Sequence, residues 1–93
     1  MKTGRVSVPP RLPGPADQIV GRVFAIPAGL SRYQDHPCTL RVTRVRADIS
    51  RWYGGDWVWI EGIRLDDHDD VIDRVQALVH VDALAHPLPP GDV

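Results

Sequence analysis

The sequence predicts an all-β fold, a small antiparallel and strongly curved sheet or partly open barrel of about four to five strands. Two observations predict it. Four runs rich in valine, isoleucine and aromatic residues are bounded by turn residues, which is the pattern of strands. The chain has 93 residues, of which 43% are hydrophobic and 25% charged, the size and balance of one small globular domain.

Two segments of biased composition frame this domain. Residues 1–16 contain four prolines and two glycines. Because proline fixes φ and lacks a backbone donor, we expect a flexible arm there. Residues 85–93 have the same character and are expected to leave the domain as a proline-rich tail. The single β-barrel domain is therefore predicted to span residues 17–84.

The first two strands are predicted at residues 19–26 and 39–48. The first alternates only loosely between apolar and polar residues, and Gly21 marks a bend in it. In the second, the apolar positions change parity in the middle of the strand, which predicts a β-bulge at Thr43 or Arg44. Because a bulge bends a strand, it favours a curved sheet.

The third strand is predicted at residues 56–66. Its alternation places Trp57 and Trp59 on one face and Val58 and Ile60 on the other. Since both faces are apolar, either could be the core. We expect the two tryptophans to fill the barrel, because large aromatic side chains at alternate strand positions usually pack inside.

The fourth strand is predicted at residues 74–84, where apolar residues occupy every second position. The acidic stretch before it, residues 66–73, is expected to form a turn or a single turn of helix. Gly54 and Gly55 tolerate positive φ, so strands two and three are predicted to form an antiparallel hairpin. Short, bent strands with such connections suit an SH3-like or Tudor-like barrel, with an OB-like barrel as the alternative.

The charges are unevenly distributed along the chain. Residues 1–46 carry eight basic and two acidic groups, a net charge of +6, whereas residues 47–93 carry three basic and ten acidic groups, a net charge of −7. The formal total of −1 therefore conceals two large opposite charges. They predict either pairing across the fold or a surface that attracts a charged partner.

The sequence also bears on the compartment. Cys38 is the single cysteine and cannot form an internal disulfide, which favours a reducing environment. No run approaches the roughly 18 apolar residues that span a bilayer, and residues 1–5 do not lead into an apolar signal core. We therefore predict a cytoplasmic protein without membrane contact. Ten of the eleven basic residues are arginine, a usage typical of a GC-rich bacterial genome.

Catalytic and metal-binding patterns are weak. His36 and Cys38 could supply a base and a nucleophile, but a buried structural cysteine is the preferred interpretation. The acidic stretch 66–73 with His68 offers oxygen ligands, yet it lacks the order of an EF-hand loop, and zinc spacing is absent from the sequence. We predict no enzyme activity, no metal site and no cofactor.

The most suggestive cluster combines arginines of the second strand with aromatic residues in the loop that follows. Guanidinium groups can hold a phosphate backbone, and aromatic rings can stack on bases, as in barrels that bind single strands. The sequence therefore predicts a binding module for a polyanion, either single-stranded nucleic acid or an acidic protein. The candidate ligand-binding residues are Arg41, Arg44, Arg46, Arg51, Trp52 and Tyr53.

A second hypothesis is a protein-interaction or homo-oligomerisation domain without nucleic-acid binding. The opposite charges of the two halves suit self-association. If the tryptophans faced outward, they would form an aromatic groove with Tyr33 and Tyr53 that could accept a proline-rich peptide. The chain itself contains such a segment, because Pro10 and Pro13 have the PxxP spacing, and this segment could dock onto its own barrel or onto a neighbour's.

Overall fold

A computed structural model describes residues 8–32 and 36–89. It contains one antiparallel sheet in which each strand is hydrogen-bonded to the next along the chain. The predicted all-β class and antiparallel pairing are confirmed, and the described residues contain no α-helix. The strands are β1 (Val23–Ile26), β2 (Cys38–Arg46), β3 (Trp57–Leu65) and β4 (Val71–His80).

The first strand is shorter than predicted. It begins at Val23, because a 3₁₀ turn (Ala16–Gln18) and Gly21, with a φ of 89°, interrupt the extended backbone before it. Ile19 nevertheless remains buried. Ile19 therefore contributes to the core from a turn instead of a strand, whereas Val20 is exposed.

The fourth strand lies closer to the N-terminus than predicted. It begins at Val71, inside the acidic stretch, and ends at His80. A 3₁₀ turn, Val81–Leu84, follows where the alternation predicts continued strand. Val81 and Leu84, which a strand would point to opposite faces, are both buried, because the turn directs both toward the core.

The core lies on one face of the sheet. Phe24 of β1 pairs with Leu40 of β2, and Val58 and Ile60 of β3 pair with alternate residues of β4. This face is closed by the 3₁₀ turn after β4 and by Ile19. The buried core residues are Ile19, Phe24, Ile26, Leu40, Val42, Val58, Ile60, Ala77, Val79, Val81, Ala83 and Leu84.

The predicted bulge in β2 is confirmed. The register between β2 and β3 shifts between Val42 and Arg44, so Thr43 is the extra residue. The Thr43 hydroxyl donates a hydrogen bond to the carbonyl of Glu61 at 3.1 Å. Before the bulge the even-numbered residues of β2 point toward the core, as Val42 does. After it the odd-numbered residues do, as Val45 does.

The sheet is not closed into a barrel within the described ranges, but both of its edges are partly covered. At the edge formed by β1, the Leu88 N–H donates to the carbonyl of Val23 at 2.8 Å. At the edge formed by β4, the Arg32 N–H donates to the carbonyl of Leu78 at 3.0 Å. The chain after β4 and the chain after β1 therefore each contact the opposite end of the sheet.

The connection between β2 and β3 is held by a buried serine. Ser50 lies at the end of the 3₁₀ turn Ala47–Ile49, and its hydroxyl is fully buried. It donates to the carbonyl of Arg46 at 2.6 Å and accepts from the N–H of Trp59 at 2.8 Å. One side chain thus ties the end of β2 to β3.

Candidate nucleic-acid interface

Opposite the core lies a second face of the sheet, the outer face, built from the residues of β2, β3 and β4 that alternate with the core residues. Antiparallel pairing places these side chains in rows across the strands, with neighbouring strands about 4.8 Å apart. The rows are Arg41, Ile63 and Arg74; Arg44, Glu61 and Gln76; Arg46, Trp59 and Leu78; and Trp57 with His80.

The bulge brings all three candidate arginines of β2 to the outer face. Without it, Arg41 would point away from Arg44 and Arg46, because their positions differ in parity. Arg41 and Arg44 are exposed, and neither has an ion-pair partner among the described residues. Their positive charges are therefore available to a ligand.

Arg46 differs from the other two because its charge is already neutralised. Its guanidinium forms ion pairs with Asp48 at 3.0 Å and Glu61 at 3.2 Å, and its side chain is 22% exposed. These hydrogen bonds raise the pKa of Arg46 and, from the other side, hold the pKa of Asp48 below its ordinary value. Arg46 organises the end of β2 and contributes little charge to a ligand.

The other candidate residues lie on the aromatic loop, residues 51–56, between β2 and β3. Trp52 is 52% exposed, a large fraction for an indole ring. Tyr53 is half-buried, and its hydroxyl accepts a hydrogen bond from the Trp59 Nε1–H at 3.2 Å. Gly54 and Gly55 have φ values of 73° and 89°, which confirms their predicted turn conformation.

The expectation that Trp57 and Trp59 fill the barrel is wrong. Both are half-buried on the outer face, while Val58 and Ile60 occupy the core. Alternation separates the two sets but does not say which set is inside when both are apolar. Leu78, on the outer face beside Trp59, is fully buried yet lies outside the core cluster, so the outer face carries a small apolar cluster of its own.

Trp57 is covered by two neighbours. The Arg32 guanidinium lies 5.2 Å from the centre of the Trp57 ring, within the range of a cation–π contact. The His80 ring meets it edge-on at 5.2 Å, with an interplanar angle of 80°. Trp57 is thus less available for stacking than the exposed Trp52. Tyr33, predicted to share this groove, lies outside the described residues.

Arg74, which the sequence did not indicate as a candidate, also lies on the outer face. Arg74 of β4 lies in the same row as Arg41, about 10 Å away across two strand spacings. It is exposed and has no ion-pair partner among residues 8–32 and 36–89. The alternation of the fourth strand shows that Arg74 faces away from the core, but only the pairing register places it beside Arg41.

One depression on the outer face and one at the edge formed by β1 adjoin this row of arginines. The first, about 210 Å³, lies between Thr43 of the bulge and Arg74. The second, about 500 Å³, is lined by Arg41, Leu65 and Leu88 among others. Each depression therefore has an exposed arginine at its wall.

The residues of the patterns set aside in the sequence can be located in the fold. Burial raises the pKa of the Cys38 thiol, which is the opposite of what an activated nucleophile requires. The carboxylate of Asp66 accepts the N–H groups of His68 and Asp70 and so shapes its own turn. Among the described residues, no three His, Cys, Asp or Glu side chains converge as metal ligands would.

Comparison with known proteins gives no family for this chain. No protein-family model, curated protein or solved structure matches it. The described residues include no helix of the length and apolar character needed to cross a membrane. The residues of the outer face are therefore the basis on which a function can be proposed.

Proposed function

We propose that this protein is a non-catalytic binding module that holds single-stranded nucleic acid on its outer face. Arg41, Arg44 and Arg74 contact phosphates, and Trp59 and Trp52 offer rings for base stacking. The observation that carries the proposal is the bulge at Thr43, which sets exposed, unpaired arginines on the same face as the aromatic side chains.

A single strand fits this face better than a duplex. Stacking on an indole ring needs a base whose flat surface is accessible, and in a duplex those surfaces are covered by neighbouring bases. Reading a duplex through its major groove usually employs a helix or a two-stranded ribbon that enters it. The described residues contain no α-helix, and the arginines here lie across a three-stranded surface.

The proposed architecture is an SH3-like barrel. Four strands pair in chain order, and a 3₁₀ turn, Val81–Leu84, ends the last of them. The chain then returns to β1, where Leu88 donates to Val23. In this proposal the segment around Leu88 acts as the closing strand, and the outer face remains open to ligand.

The test is fluorescence anisotropy of labelled oligothymidylate, oligouridylate and a duplex of equal length. Three phosphate contacts predict a slope of log K against log salt of about −2, roughly a 15-fold loss of affinity between about 50 and 200 mM salt. The single strands should bind more tightly than the duplex. Absence of binding at low salt, or binding that salt does not weaken, would refute the proposal.

A matched pair of variants locates the site. Arg44→Gln removes an exposed cation from the outer face and should make the salt slope shallower by about 0.7. Arg64→Gln removes the same charge, but Arg64 is paired with Asp73 at 2.9 Å, so binding should change little. Equal losses from both variants would mean that net charge, not this face, governs binding.

The alternative is a protein-interaction or homo-oligomerisation domain. It is favoured by the start of β4, an edge strand on which Val71 and Ile72 are 64% and 51% exposed. Against it, the register shift at this point leaves Ile72 as an extra residue, and bulges and charges commonly protect strand edges from pairing. Sedimentation over a range of concentrations decides, since a dimer without nucleic-acid affinity would favour the alternative.

A further inference from the structure

A proline-rich segment of the chain is already bound to the aromatic loop. Residues 8–12, here called the N-terminal strap, run alongside residues 51–55. The Val8 N–H donates to the carbonyl of Arg51 at 2.9 Å, and the Arg11 N–H donates to the carbonyl of Gly55 at 2.8 Å. Arg11 also forms an ion pair with Asp56. Two backbone hydrogen bonds and one ion pair therefore hold the strap on the loop.

The spacing of prolines in the strap matches these hydrogen bonds. Pro9 and Pro10 have no N–H, so the backbone donors on either side of them belong to Val8 and Arg11. Both of these donors are used by the loop. A proline pair also favours the extended polyproline conformation before binding, which lowers the entropy lost on docking.

The close approach of the strap to the loop depends on Gly55, which lies beneath Val8 and Arg11. Gly55 is buried at a φ of 89°, and a Cβ atom built there would lie 3.3 Å from Val8 Cγ1 and 3.5 Å from Arg11 Cγ. The absence of a side chain thus lets the strap lie directly on the loop. With Asp56 beside it, the loop offers two carbonyl acceptors, a flat floor and a carboxylate.

We propose that this surface of the aromatic loop is a docking site for proline-rich, arginine-bearing segments of other chains, of the pattern apolar-Pro-Pro-Arg-apolar. The chain's own strap shows the geometry of the occupant. Its ion pair is exposed, with 66% of the Arg11 and 49% of the Asp56 side chain accessible, so this part of the contact can open, while Leu12 of the strap packs against the core. The tethered strap competes with a free peptide because its effective concentration is high.

The experiment uses a fluorescent peptide with the sequence of residues 8–13 and the full chain in three forms. The first is the unmodified protein, the second has the strap weakened by Val8→Ser and Arg11→Ala, and the third adds Asp56→Asn to these. Weakening the strap should raise the apparent affinity for the peptide several-fold, because less of the site is occupied in cis. Adding Asp56→Asn should then lower it roughly two- to fivefold, the effect of an exposed ion pair.

Two controls keep the result interpretable. A peptide in which the arginine is replaced by alanine should bind the strap variant as weakly as the normal peptide binds the Asp56→Asn form. Circular dichroism and thermal unfolding establish that each variant is folded. The proposal is overturned if the folded strap variant binds the peptide no better than the unmodified protein, or if Asp56→Asn leaves the affinity unchanged. Neither outcome decides whether Arg41, Arg44 and Arg74 of the outer face bind nucleic acid.

Discussion

Replacing Ser50 with alanine is expected to destabilise the fold by about 1–3 kcal/mol, the usual cost of leaving a buried polar group unpaired. The Ser50 hydroxyl is fully buried and makes two hydrogen bonds, to the carbonyl of Arg46 and from the N–H of Trp59. Alanine would leave both backbone groups without this partner. For a domain of this size, each kcal/mol corresponds to a fall in Tm of roughly 4–8 °C.

The chain supplies a matched control in Ser31. Its hydroxyl is also buried, with the residue 6% exposed, but it has no hydrogen-bond partner among residues 8–32 and 36–89. Because burying an unpaired hydroxyl is unfavourable, Ser31→Ala should be neutral or slightly stabilising. Urea and thermal unfolding of both variants, monitored by tryptophan fluorescence, measure the difference. Equal losses of stability would show that burial of the serine, not its hydrogen bonds, is what matters, and the reasoning would be wrong.

Three further predictions concern packing, reactivity and pH. Gly62→Ala should destabilise by about 1–3 kcal/mol, since its Cβ would lie 2.9 Å from the carbonyl oxygen of Arg41, whereas Gly29→Ala, with open space around it, should be tolerated in the same unfolding assay. Alkylation of Cys38 at neutral pH should be slower than that of a free cysteine, because burial raises its pKa and leaves less thiolate; faster alkylation would contradict this. Arg46 lowers the pKa of Asp48, so this pair stabilises the fold above the unfolded pKa of Asp48 and ceases to do so as the pH falls through the lower folded value. Asp48→Asn should therefore weaken the pH dependence of Tm in the acidic range, and an unchanged acidic profile would count against the pair.

Local patterns predicted the features that depend on neighbours in sequence. The parity change in the second strand indicated the bulge at Thr43, and Gly54 and Gly55 adopt the positive φ expected of them. The alternation in the third strand correctly separated Trp57 and Trp59 from Val58 and Ile60. It could not choose the inner set, because both sets are apolar and only packing against β1 and the turn after β4 decides.

Features that depend on pairing between distant residues were harder to predict. Arg74 joins Arg41 because Ile63 lies between them in the register, a relation that no single strand contains. Arg46 belongs with the candidate arginines by sequence, yet Glu61 of the neighbouring strand and Asp48 neutralise it. The sequence therefore indicated which arginines β2 contributes, while the charge available at each position required the three-dimensional pairing.

The extra residue in β2, Thr43, changes which of the following residues face the core. Downstream of Thr43, every side chain of the strand lies on the face opposite to the one that strict alternation would give it. The bulge therefore decides the chemistry of both faces as much as the residue types do. If the strand kept all its residues but lost the bulge, Arg44 and Arg46 would point at the apolar interior and Val45 at solvent, whereas deleting Thr43 would leave all three on their present faces. In a lineage of such domains, a codon inserted or deleted at this position could then be accommodated by the bulge without moving the basic surface.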